Sequence, residues 1–172
     1  MPFYFVQLSS MNRPSWTWFR DSQRQLADRI PHCGMAVSSD VGDSLDVHPR
    51  NKRPVGERLA RLALHHEYGL DVIPSGPLFR KAKLEKSRIV VEFEYADGLT
   101  TSDGATVKCV EVAGEDGQFS FVEAVIEGDR LVIYLDKGEK PAFIRYAWQP
   151  FTRANLVNAE GLPASTFRAV VE

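Results

Sequence analysis

The chain has 172 residues, with 21 Lys plus Arg against 23 Asp plus Glu and 44% hydrophobic content, the make-up of a folded protein of one or two small domains. A net charge of −2 with both signs interspersed offers no broad basic face to nucleic acid and no polybasic segment to a membrane surface. No apolar run approaches the ~20 residues that span a bilayer, and the first residues lack the basic flank and cleavage site of a signal peptide.

Residues 2–8 form a short apolar run that reads as a strand. Ser15 then stands where it can cap a helix. The spacing predicts that Trp16, Phe19, Gln23 and Leu26 face inward, while Arg20, Asp21, Arg24 and Asp28 face water. Pro31 and Gly34 punctuate the chain before a second apolar run at 35–38. A second helix is predicted from about Pro54 through Val55, Leu59, Leu62, Ala63 and His66, with Gly69 as its stop. Both runs are apolar throughout, as parallel strands covered on two faces are. Two strands and two helices are too few to close a doubly wound core, so residues 1–72 read as the C-terminal portion of a larger α/β domain.

From Ile73 the pattern changes to alternating apolar runs at 88–95, 106–112, 120–126, 130–135 and 142–148. Asp97-Gly98, Asp103-Gly104, Asp116-Gly117, Gly128-Asp129 and Lys137-Gly138 fall between them as turns. Short strands at this spacing predict an antiparallel β-sandwich of about 100 residues over 73–172, joined at 71–77. The expected class is α+β: a β-α-β-α remnant of an α/β domain, then a sandwich. Cys33 and Cys109 are too few and too far apart for a disulfide framework or a metal pair, and read as two small buried residues.

The sharpest local feature is the segment 39–52, which follows the second strand and precedes a helix. Loops beyond the carboxyl ends of parallel strands are where α/β domains carry their chemistry. His48 stands there as a candidate general base, and Asp46, two residues earlier, as the carboxylate that would fix its tautomer. A solvated loop histidine beside turn-forming acids would give the same spacing.

Here the residues resemble a known family. Phe5-Val-Gln-Leu8, Trp18-Phe-Arg-Asp-Ser-Gln23, Gly34-Met-Ala-Val37, Asp40-Val-Gly-Asp43, Asp46-Val-His-Pro-Arg-Asn-Lys52 and Gly56-Glu-Arg-Leu59 look like the C-terminal part of the sialate O-acetylesterases. Ser75-Gly-Pro-Leu78, Asn155-Leu156, Gly161-Leu-Pro-Ala-Ser165 and Phe167-Arg168 extend the match over nearly the whole chain. These are serine esterases related to the SGNH hydrolases that remove acetyl groups from sugar hydroxyls. The resemblance implies cofactor-free de-O-acetylation of an O-acetylated sugar, such as sialic acid or a plant or host glycan. It also implies His48 as the catalytic histidine and a secreted or periplasmic parent. The family places its nucleophile in a Gly-Gln-Ser-type turn early in the hydrolase domain, and this sequence has no such turn. The chain is therefore expected to be a C-terminal fragment, inactive alone, whose partner is the N-terminal hydrolase portion. Gly42-Asp43-Ser44 copies an SGNH signature but lies only four residues before His48, so Ser44 is read as a decoy. Many SGNH enzymes keep the acid three residues before the histidine, where this chain has Leu45, so Asp43 or Asp40 stand as alternatives to Asp46.

Other candidates have structural readings. Arg50, Lys52 and Arg53 beside a helix start suit solvent or pairing with Glu57. His65 and His66 suit a helix C-terminus. Trp16 and Trp18 could stack on sugar, although adjacent aromatics at a helix start usually include a core residue, and Tyr146 and Trp148 are predicted to fill the sandwich core. The exposed apolar edge of the first strand predicts self-association. The competing reading is a non-catalytic carbohydrate-binding or structural sandwich with a vestigial histidine loop.

Overall fold

In the computed structural model, which describes residues 1–172, β1 (Phe3–Val6) and β2 (Cys33–Ala36) pair in parallel, Phe3 opposite Cys33 and Val6 opposite Ala36. A parallel pair requires a crossover, and α1 (Trp16–Arg29) supplies it; α2 (Arg53–His66) follows β2. Both helices pack on β2, and α2 also reaches β1. Glycine is needed at position 34 because a Cβ there would stand 2.9 Å from the Tyr4 ring and 3.0 Å from Leu62. The expected β-α-β-α order is present.

Most of α1 reverses the expectation from its hydrophobic spacing, although Asp28 is exposed as expected and Trp16 and Gln23 are half-buried. Thr17, Arg20, Asp21 and Arg24 are buried, whereas Trp18, Phe19 and Leu26 are 55%, 55% and 51% exposed. Ser15 sits at the cap position, but its hydroxyl makes no capping bond. Burying charge is tolerable only where protein groups replace water. Arg24 meets that condition by pairing with Asp21 at 2.9 Å and Asp28 at 3.4 Å. Arg20, fully buried, meets it by reaching into the second half of the molecule. Its Nε donates to Thr166 Oγ1 at 3.0 Å and Nη1 to the Pro150 carbonyl at 2.9 Å. Nη2 donates to the carbonyls of Ala147 at 3.1 Å and Gln149 at 2.7 Å. Burial lowers the Arg20 pKa to about 10, which leaves it charged at neutral pH.

Ten strands follow: β3 (Leu78–Glu85), β4 (Arg88–Glu94), β5 (Thr100–Thr101), β6 (Val110–Ala113), β7 (Ser120–Phe121), β8 (Val125–Glu127), β9 (Arg130–Tyr134), β10 (Phe143–Tyr146), β11 (Leu156–Val157) and β12 (Phe167–Val170). They form two four-stranded antiparallel sheets, β3-β4-β9-β8 and β12-β10-β6-β7, with β5 and β11 as a small pair. The sheets share one core of 16 buried residues, including Ile89, Val91, Leu131 and Ile133 from one and Val112, Ile144, Tyr146 and Phe167 from the other. Phe167 stacks on Phe79 at 4.4 Å between ring centroids.

Several local expectations fail for backbone reasons. Residues 106–109 are not a strand, because Cys109 takes a φ of +63° and pairing begins at Val110. Ala147 likewise adopts φ +54°, ending β10 one residue before it and interrupting the alternation. Tyr146 therefore fills the sandwich core, but Trp148 lies outside that core cluster, edge-on to Trp18 at 5.1 Å. Cys33 and Cys109 are unbridged and half-buried instead of fully buried. β3 and β12, which no expectation covered, pair with β4 and β10.

Candidate active site around His48

The loop that carries His48 leaves the carboxyl end of β2 through a single 3-10 turn, Ser39–Val41. Arg58, on the buried face of α2, fixes that departure. Its Nη1 donates to the Val37 carbonyl at 2.7 Å, and its guanidinium forks onto both Asp40 oxygens at 2.7 Å. A bidentate pair of this kind fixes orientation as well as distance. Gly42 then passes over Ser10, where a Cβ would stand 2.2 Å from the Ser10 carbonyl oxygen, so only glycine fits. Asn12 N–H donates to the Ser44 carbonyl at 3.1 Å, and Ser9 Oγ to that of Val47 at 3.4 Å. The loop after β1 thus supports the loop after β2 along its length.

His48 and Asp46 meet at the exposed crest. Asp46 Oδ1 accepts the His48 backbone N–H at 2.9 Å and lies 3.2 Å from His48 Nδ1. An aspartate bonding the amide two residues on is a common turn device, and here it also sets the carboxylate beside the imidazole. The Asp46 carboxyl is held below the ordinary aspartate range, chiefly by the His48 backbone N–H and further by the His48 side chain and Arg50. An ionised Asp46 favours the tautomer with the proton on Nδ1. Nε2 is then free to take a proton, on a side chain 82% exposed.

The other acids are engaged elsewhere. Asp43 accepts the Leu45 N–H at 2.9 Å, and Asp40 belongs to Arg58. The hydrogen bonds of His48 go to Asp46 alone, and none reaches Ser44. Arg53 pairs with Glu57 at 2.7 Å, while Arg50 and Lys52 form no direct ion pair. His65 Nδ1 meets the Val72 carbonyl at 2.9 Å, and His66 lies beside Tyr4, so neither joins the His48 loop. Trp16 is half-buried under Arg13, and Trp18 packs against Trp148 and Arg168. No three His, Cys, Asp or Glu side chains are grouped to hold a metal ion. Sequence reasoning overlooked Ser9, which bonds Val47, and Ser10 with the turn near Pro150 that it touches, because nothing local marks contacts with so distant a part of the chain.

No family model matches the chain, and no curated protein matches it. Among solved structures it is similar to XAC1771, a novel carbohydrate acetylesterase from Xanthomonas citri, with a TM-score of 0.90 and 35% identity over 98% of this chain. The match takes in 40% of that protein, so this chain spans less than half its length. The α+β architecture is shared with it, and the chain resembles part of a carbohydrate acetylesterase.

Proposed function

We propose that this chain supplies the histidine arm of a serine carbohydrate O-acetylesterase, with His48 as general base and acid and Asp46 as its orienting carboxylate. The observation that carries this reading is the His48–Asp46 pair on a braced loop beyond the carboxyl end of a parallel strand. Similarity to part of a carbohydrate acetylesterase supports it. A serine on an adjoining α/β segment attacks the acetyl carbonyl while His48 Nε2 takes its proton, and Asp46 stabilises the imidazolium. The same Nε2–H then protonates the departing sugar oxygen. Water, deprotonated by His48, attacks the acyl-serine; acetate departs as His48 returns the proton to the serine oxygen, and backbone N–H groups of the adjoining segment hold the oxyanion.

The surface facing that segment supports the arrangement. β1 pairs only with β2, so its second edge is open. Phe3 and Val6 on that strand, Phe19 and Leu26 on α1 and Ile30 just past its end are exposed apolar side chains. Strands of parallel sheets are normally covered on both faces. The partner is accordingly an α/β segment that adds a strand beside β1, and without it the same edge promotes self-association.

Assays of the chain alone and joined to such a segment, against O-acetylated sialic acid, other acetylated sugars and p-nitrophenyl acetate, test the reading. The chain alone gives no turnover above background. In the assembled enzyme His48→Ala lowers turnover by about 10⁴, the order of a lost triad member. A tenfold loss would reduce His48 to a bystander. Asp46→Asn is damaging because it favours the wrong tautomer, and Asp43→Asn is not; the reverse result would reassign the acid.

A further inference from the structure

A turn from the β-sandwich sits against the loop after β1, the same loop that braces the His48 loop. Residues 147–153, between β10 and β11, are clasped by Arg20 through the carbonyls of Ala147, Gln149 and Pro150. They are also clasped by the loop after β1. Ser10 Oγ accepts the Thr152 N–H at 2.5 Å and donates to the Pro150 carbonyl at 3.5 Å, and Met11 N–H donates to the same carbonyl at 3.1 Å. Ser9, the preceding residue, bonds Val47 next to His48. Two consecutive serines, with Cα atoms about 3.8 Å apart, therefore bridge the neighbours of His48 and the neighbours of Phe151. On this turn Phe151 is half-buried, and the Arg153 guanidinium lies over its ring at 4.6 Å. Arg153 is exposed and has no acidic partner within 4.0 Å. The ring and the cation are thus ordered by each other but not consumed by the core or by an ion pair.

Resting on the reading of His48 as base and acid, we propose that Phe151 and Arg153 form the wall that receives the sugar of the ester, with Arg20 and Ser10 as positioning residues. The direction follows from the chemistry. His48 Nε2 must lie at the departing sugar oxygen, so the sugar extends from the histidine side of the site while the acetyl group extends toward the nucleophile. A sugar ring offers an apolar C–H face suited to Phe151 and vicinal hydroxyls suited to the paired N–H groups of a guanidinium. The sandwich is on this view part of the substrate site.

The test compares an O-acetylated sugar with p-nitrophenyl acetate, which has no sugar, in the assembled enzyme. Phe151→Ala and Arg153→Gln each lower the preference for the sugar ester, as a ratio of kcat/KM values, by about tenfold, the loss residing in KM. Arg20→Lys keeps the charge but cannot span four acceptors, and lowers the same ratio, whereas a purely structural role would depress both substrates together. An unchanged ratio in Phe151→Ala and Arg153→Gln overturns the proposal. His48→Ala abolishes both activities if the histidine reading holds, and full activity in that variant sinks that reading separately. Independently of turnover, titrating the isotopically labelled 172-residue chain with methyl glycosides shifts the amide signals of residues 149–153, and Arg153→Gln weakens that response. Shifts confined to other regions would overturn the wall.

Discussion

The β-sandwich buries apolar strands against one another, whereas the β-α-β-α unit buries charged side chains and leaves apolar ones in water. The sandwich core holds 16 buried residues contributed by both sheets. In the α/β unit the buried apolar set is Met35, Ala36, Val37 and Leu62, alongside buried Arg20, Asp21, Arg24 and Arg58. The sandwich is closed on itself, whereas the α/β unit is completed by the sandwich and, on the function proposed above, by a second neighbour. The sandwich satisfies Arg20; the second neighbour is the segment proposed to cover Phe19, Leu26 and the free edge of β1.

The largest expected effect lies in the closed half. Phe167, fully buried against Phe79, Phe93 and Tyr146, should cost about 3–5 kcal/mol when replaced by alanine, read by urea unfolding. Next comes the joint between the halves. Arg20→Ala strips a donor from four buried or half-buried acceptors and should cost about 3 kcal/mol. Hydrogen exchange should then quicken at residues 9–12 and 147–152 more than in β4 and β9; uniform quickening would mean that the halves do not differ.

A smaller effect separates a docking face from a core face. Phe19→Ser with Leu26→Ser should leave stability within about 0.5 kcal/mol, as exposed positions do, and should reduce self-association in sedimentation. A loss comparable to Leu62→Ala, about 2–4 kcal/mol, would show the stripe to be packed within the chain and would end the comparison.

The smallest effect concerns acid. Asp103 is lowered to about 2 by Lys108 first, then by Asn155 and the Ala105 N–H. A carboxyl whose folded pKa is depressed stabilises fully above the ordinary aspartate value of about 4, and that contribution fades as pH falls toward about 2. The loop after β5 should therefore loosen in that window, and Asp103→Asn should flatten this part of the acid profile.

Some of this was legible from sequence because the interactions are local. The β-α-β-α order and strands such as β4 and β9 follow from apolar runs and alternation, and the Asp46–His48 pair follows from a turn that closes over two residues. The engagement of Asp40, one of the alternatives to Asp46, was not legible, because it is held by Arg58 on another element. Nor was the orientation of α1. Its hydrophobic spacing marked one side as suited to burial, but the carbonyls that make the opposite, charged side buriable come from residues 147–150. Periodicity records which side chains can leave water; which of them do so depends on groups far along the chain that can replace that water. For the same reason only the tertiary structure brought the turn of Phe151 and Arg153 to the loop after β1 that braces the histidine loop, since that approach rests on hydrogen bonds from Ser10 and Arg20 that no local pattern encodes.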